Sequence, residues 1–221
     1  MPLALRHRTD IVNPLSPLAG LTVYRETDSA AMADLQGRAA SDIQKRFDEG
    51  HRAYVARMNG APAAWGWVAT SQATIGELAT SFPISRGERY LWNFVTLKAH
   101  RGLGIYPRLL NAIVDAELSD AERFWIAYAP ENHASGSGVR KAGFTTVAEI
   151  SFDHGGRPAL RPTVFVGSSQ PAAYQLLDLP VLEEALAQCW RCVRMGRTGE
   201  QSCKAGMCTC DYQQPEHGCA A

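Results

Sequence analysis

Along the chain, apolar and polar positions sort into stretches with strand-like and helix-like periods. Residues 21–27, "LTVYRET", alternate as a half-buried strand does. Asp28 and Ser29 precede "AAMADLQGRAASDIQKRF", rich in helix formers with a central glycine, which predicts one broken helix or two short ones. Residues 52–70, "RAYVARMNGAPAAWGWVAT", read as two strands joined at Asn59-Gly60, a pair that accepts the positive φ of a tight hairpin turn. "IGELATSF" (75–82) extends this meander. After a loop, "RYLWNFVTL" (89–97) is apolar almost throughout, as a central strand covered on both faces would be.

The period then changes. In residues 107–124, Leu109, Leu110, Ile113, Val114 and Leu118 share one helical face, and the helix is expected to start near Tyr106. "FWIAYA" (124–129) reads as a short buried strand, and "ASGSGVRKA" (134–142) as a short helix ending at Gly143. "FTTVAEISF" and "PTVFVG" flank "DHGGRP", which reads as a hairpin. Hairpins in the first half imply antiparallel pairing, and strand-helix-strand units in the second imply parallel pairing. The expected fold is therefore α/β, with a mixed antiparallel/parallel central sheet flanked by helices. Residues 1–20, with three prolines and no period, read as an N-terminal arm. Residues 21–170 form the expected domain, and 171–221 a C-terminal helix and tail.

Composition adds exclusions. The chain has 221 residues, 46% hydrophobic and 20% charged, which suits a packed globular domain with an appendage. Lys plus Arg and Asp plus Glu both number 22, so no net field favours nucleic acid or an anionic membrane. No window approaches the roughly 18 apolar residues of a membrane span, and the N-terminus lacks a signal-like apolar run. A cytoplasmic protein is expected.

The stretch with the clearest chemistry is "HRGLGIYPRLL" (100–110), between the apolar strand and the helix. The first amides of a helix have no partner inside it, and the helix dipole adds roughly half a positive charge there. Gly102 and Gly104 allow close approach to the backbone, and Arg101 adds charge. A phosphate is the favoured occupant. The stretch matches neither the three-glycine dinucleotide fingerprint nor the Walker loop.

It resembles the signature of the Gcn5-related N-acetyltransferases, which is Gln or Arg, any two residues, Gly, any residue, then Gly or Ala, between the fourth strand and third helix. Arg101 and Gly104 match the first and fourth positions, Gly102 and Leu103 fill the variable ones, and Tyr106 stands where a small residue is usual. A second segment, "ENHASGSGVRKAGF", resembles a later one of that family through Asn132, Ser135, Gly143 and Phe144. The resemblance covers about residues 21–167. It implies an acetyl-coenzyme A-dependent N-acyltransferase acting on a small-molecule or peptide amine, with the pyrophosphate on the amides from Gly102 through Leu103, Gly104 and Ile105 to Tyr106. It also implies that Phe94, Val95 and Thr96 pair with the pantetheine arm, and that Asn132 belongs to the cofactor site.

Members of the family commonly carry a tyrosine seven residues after that asparagine as general acid, and this chain has Val139. Tyr106 and Tyr128 are the alternatives, and Tyr106 is the candidate. Glu77, Glu131, His100 and His133 are candidate bases. Glu77 is preferred, because in the family the strand before the cofactor strand often faces the acceptor. A binding protein that keeps coenzyme A without efficient catalysis, with the C-terminal tail as a metal or redox sensor, is the competing reading; Val139 favours it slightly, and the intact glycine turn favours the enzyme more.

All six cysteines fall between Cys189 and Cys219. Asp178 and Pro180 are expected to cap and start a helix that places Cys189 and Cys192 one turn apart. With Cys203, Cys208 and Cys210, these are candidate thiolate ligands for zinc or an iron-sulfur cluster, against reduced thiols or disulfides as alternatives.

Overall fold

The computed structural model describes residues 1–78, 80–153, 157–163, 170–182 and 192. Its centre is an eight-stranded sheet. In chain order the strands are β1 (Pro2–His7), β2 (Leu21–Glu26), β3 (Arg52–Met58), β4 (Ala61–Ala69), β7 (Glu88–Thr96), β8 (Arg123–Ala127), β9 (Thr145–Phe152) and β10 (Pro158–Pro162). Between β4 and β7, the short strands β5 (Gln72–Ile75) and β6 (Thr80–Pro83) form a separate two-stranded sheet. Helices α1 (Ser29–Gln36) and α2 (Ala40–Asp48) follow β2, α3 (Ile105–Glu117) follows β7, α4 (His133–Lys141) follows β8, and α5 (Gln170–Leu177) follows β10. The sheet order is β10-β9-β1-β8-β7-β4-β3-β2, with β7 and β8 parallel and the other pairs antiparallel. This is the mixed sheet flanked by helices that the hydrophobic pattern predicts.

Alternation along the strands divides the core. On β3, Tyr54 and Ala56 pack with Ile105, Leu109 and Ile113 of α3, while Ala53 and Val55 pack with Met32 and Ile43 of α1 and α2. The two helix pairs therefore cover opposite faces. Leu109, Leu110, Ile113 and Val114 are fully buried, as the helical period requires. Arg6 of β1 donates to Asn111 Oδ1 (2.7 Å) and to the Ala142 carbonyl (2.9 Å), bracing α3 and the end of α4 against the sheet.

The far end of α3 is pinned by ionic contacts. Glu117, 1% exposed, accepts from Arg52 (2.5 Å), Arg89 (2.7 Å) and the Tyr54 hydroxyl (2.7 Å). Burial alone would raise its pKa, but these three donors together hold it below the usual carboxylate range. A cleft of about 270 Å³ opens over this group between β2, β3 and α3, and in it Arg52 pairs with Glu117 and Asp120.

Several expectations change. The N-terminal stretch read as an arm supplies β1, inserted between β9 and β8, with Leu3 and Ala4 fully buried. Its apolar run is too short to carry a period. The segment expected to extend the meander is the β5–β6 hairpin, outside the main sheet, because its pairing closes on itself. The second strand of the late hairpin runs Pro158–Pro162, earlier than expected. Beyond it, α5 buries Ala173, Leu176 and Leu177 against the domain core. Where a helix was expected to start at Pro180, Val181 forms a parallel bridge to Leu160.

Candidate active site

The site begins where two strands part. β7 and β8 pair in parallel from Glu88↔Arg123 to Leu91↔Ile126, and then the ladder stops while β7 continues to Thr96. Next to this point β7 carries a bulge. Trp65 of β4 pairs with Val95 and Trp67 with Trp92, so Gly66 alone faces both Asn93 and Phe94. Asn93 has φ +52°, a left-handed conformation rare for a strand residue. A bulge bends its strand and increases local twist, which carries β7 away from β8. Gly66 is needed because the Phe94 ring lies on it, and a Cβ there would stand 2.0 Å from Phe94 Cε1. The first half of β7 is buried, whereas Trp92, Asn93, Val95 and Thr96 are partly exposed in the middle of a sheet. Among the described residues, one backbone edge of this segment has no neighbouring strand.

The chain then runs through a 3₁₀ turn (Lys98–His100) into the glycine turn and α3. Gly102 and Gly104 have φ +79° and +71°, conformations that a Cβ disfavours. Gly104 is the N-cap of α3, and among the described residues no side chain caps the helix or accepts from its first amides. Open space lies where a Gly102 Cβ would be. Arg108 donates to the Gly104 carbonyl (2.8 Å) and, through Nε and Nη2, to the Ser16 carbonyl (3.0 and 2.7 Å), tying the segment before β2 to the turn. Arg101 is exposed and donates to the Thr96 carbonyl (3.1 Å). Leu103 is 49% exposed and Ile105 buried in the core, so the turn combines an accessible rim with an anchored helix.

Tyr106 connects this turn to α4. Its ring packs edge-on to Phe94 at 5.4 Å between centroids, lies against Gly138, and its hydroxyl is 3.3 Å from Ser135 Oγ. Burial raises the phenol pKa well above that of an ordinary tyrosine, with the Ser135 contact acting weakly in the other direction. The group is therefore a protonated donor at neutral pH. Asn132 Oδ1 accepts from the Ser135 amide (3.0 Å) and caps α4, so its side chain has a local structural role. Val139 is 1% exposed and belongs to the same core cluster as Phe94 and Ile105. Tyr106 is thus delivered from α3 to the side of α4.

The other candidates lie apart or outside the described residues. Glu77 is in a 3₁₀ turn (Gly76–Leu78) between β5 and β6, not on a strand of the main sheet, and its side chain lies outside the described residues. His100 is in the turn before Arg101, and His133 is an exposed residue opening α4. Glu131 immediately precedes the α4 cap. Tyr128 is buried against Gly136. Cys189, Cys203, Cys208 and Cys210 lie outside the described residues, and Cys192 is buried. Among the described residues, no group of three or more His, Cys, Asp or Glu side chains is placed to hold a metal ion. No described helix is long and apolar enough to cross a membrane.

Two features of this region escape a reading by period, the Asn93 bulge and the Tyr106–Ser135 contact. The first has a signal in "WGW", because an isolated glycine inside a strand pattern marks a bulge or a close approach. The second has none, since it joins residues 29 positions apart.

No family model and no curated protein matches the chain. Among solved structures, it is similar to a Gcn5-related N-acetyltransferase from Kribbella flavida, with 21% identity and TM-score 0.45 over 66% of this chain and 53% of that one. It is also similar to a GNAT-family acetyltransferase from Colwellia psychrerythraea, with 15% identity and TM-score 0.45 over 65% and 52%. An aminoglycoside acetyltransferase from an uncultured soil metagenomic sample overlaps with 17% identity and TM-score 0.46 over 60% and 96%. The alignment spans about half the length of the first two of these proteins. With every TM-score here below 0.5, the chemistry has to come from the site itself.

Proposed function

We propose that this chain is an acyl-coenzyme A N-acyltransferase that carries an acetyl group to a primary amine. The observation that carries the reading is the parting of β7 from β8 at Leu91 and Ile126, directly upstream of an uncapped helix start at Gly104. A free strand edge suits a ligand with amide groups, and the helix start suits a pyrophosphate. A pantetheine-linked nucleotide has both. The residues present fit that group.

In this reading the amides from Gly102 to Tyr106, with Arg101, hold the pyrophosphate. The free edge of Trp92 to Thr96 aligns the pantetheine arm. The coenzyme supplies a thioester, whose C–S bond breaks as the acceptor nitrogen forms a C–N bond to the acyl carbon. Fixed backbone donors at the bulge stabilise the charge that develops on the carbonyl oxygen. Tyr106, held protonated, gives its proton to the departing sulfur and regains one from solvent through Ser135. The amine must arrive neutral, and its proton leaves to water or to a carboxylate near the acceptor. Tyr106 fills the place in the mechanism that Val139 leaves open.

The test is coenzyme A thiol release from acetyl-coenzyme A in the presence of mixed primary amines. Amine-dependent release supports the reading. Tight coenzyme A binding with no release for any amine would instead favour a binding protein that keeps the cofactor without catalysis.

A further inference from the structure

The face of the sheet under α1 and α2 carries an arginine with no carboxylate in ion-pair contact among the described residues. The Arg46 guanidinium lies 5.0 Å from the Trp67 ring centroid and 4.9 Å from that of Trp92. Among the described residues, its guanidinium hydrogen bond is a long one to Gln36 Oε1 (3.4 Å). Asp42 and Glu49 act on it only at a distance, and Glu49 sits 3.9 Å from both Lys45 and His51. The residue is partly exposed.

Around it, the buried Nε1 atoms of Trp67 and Trp92 and the Nε2 of Gln36 have no acceptor. Buried indole and amide N–H groups normally find partners, because leaving one unmade costs about 1–3 kcal/mol. These groups are all donors. Trp67 is fully buried, so these N–H groups are out of reach of an external ligand, and the group a ligand can meet is the guanidinium of the partly exposed Arg46, stacked on two indoles, which is complementary to a carboxylate.

The position matters as much as the chemistry. Trp92 is the first β7 residue beyond the last β7–β8 pair, and its ring faces the α1–α2 side, whereas Phe94 and the glycine turn serve the α3 side. A molecule that approaches the gap from the α1–α2 side therefore passes Arg46.

Resting on the acyltransferase reading, we propose that Arg46 binds a carboxylate carried by the acyl acceptor, so that the acceptors are amino acids or short peptides with a free carboxylate. Lys or amine selectivity alone would not call for a stacked guanidinium at this place.

Calorimetry on the coenzyme A-loaded protein and thiol release from acetyl-coenzyme A test this directly. The probes are a set of α-, β- and γ-amino acids and dipeptides, and the same compounds with the carboxylate amidated. At least about tenfold preference for the free carboxylates is expected, lost in Arg46→Gln and partly kept in Arg46→Lys. The comparison within wild-type protein needs no variant, and thermal unfolding of both variants separates misfolding from lost recognition. Equal or better binding of the amidated set, no binding of either set, or a preference that survives in a folded Arg46→Gln protein would overturn the assignment. Coenzyme A affinity is read in the same samples. Its absence sinks the acyltransferase reading, whereas the carboxylate preference decides Arg46 alone.

Discussion

Gly138 lies so close to Tyr106 that a Cβ on the glycine would stand 2.3 Å from Tyr106 Cδ1. Real Cβ atoms do not approach ring carbons so closely, so α4 and the tyrosine on α3 fit together only while residue 138 lacks a side chain. Gly138→Ala is expected to push the ring away from Ser135 and to destabilise the fold by about 1–3 kcal/mol. Turnover should fall about tenfold, with coenzyme A affinity nearly unchanged. Thermal unfolding together with kcat and KM measures both effects. An alanine variant with wild-type turnover would detach Tyr106 from the chemistry.

Removing only the hydroxyl isolates the proton donor. Tyr106→Phe keeps the packing on Phe94 and Gly138, and kcat should drop by about one to two orders of magnitude with KM unchanged. That is at the low end for general acid catalysis, because a thiol is a good leaving group. Burial keeps the wild-type phenol protonated beyond the range of an ordinary tyrosine. The wild-type rate should therefore show no alkaline limb from this group below about pH 10. An alkaline fall near pH 8–9 that vanishes in Tyr106→Phe would contradict the raised pKa but not the role, whereas an unchanged kcat in a folded Tyr106→Phe protein would contradict the role.

Much of the frame can be read from the chain, and the reasons differ by element. The apolar face of α3 is dictated by a helical period strong enough to bury Leu109, Leu110, Ile113 and Val114 together. The β3–β4 turn follows from Asn59 and Gly60, which take φ +51° and +82°. The glycine turn is legible because Gly102 and Gly104 interrupt two regular elements at their junction. By contrast, β1 is held by partners more than a hundred residues away, Leu3 pairing with both Ala127 and Ala148. No local pattern in "PLALRH" encodes that. The bulge at Asn93 arises from register with β4, and alternation leaves ambiguous which side Trp92 takes beside it.

Acid stability follows from Glu117. Its pKa is depressed in the folded state by Arg52, Arg89 and Tyr54, despite burial, so the unfolded chain binds a proton more readily. The contribution is fully present above the usual carboxylate pKa of about 4.3 and is lost as pH falls through the lower folded value. Glu117→Gln should cost about 3 kcal/mol at pH 7, since it leaves buried cations short of a counter-charge, and much less near pH 3. Urea unfolding at the two pH values checks this. An equal cost at both would place the effect in packing rather than charge.

The most direct test of the whole account is titration of coenzyme A into wild-type protein and Gly104→Val. At φ +71° a β-branched residue is strained, and its Cβ would stand 2.6 Å from Arg108 Nη1, so the turn cannot keep its shape around a phosphate. Wild-type protein is expected to bind coenzyme A, and the variant to lose at least about tenfold in affinity while its unfolding remains cooperative. A folded Gly104→Val protein with unchanged coenzyme A affinity would contradict the placement of the nucleotide at this turn.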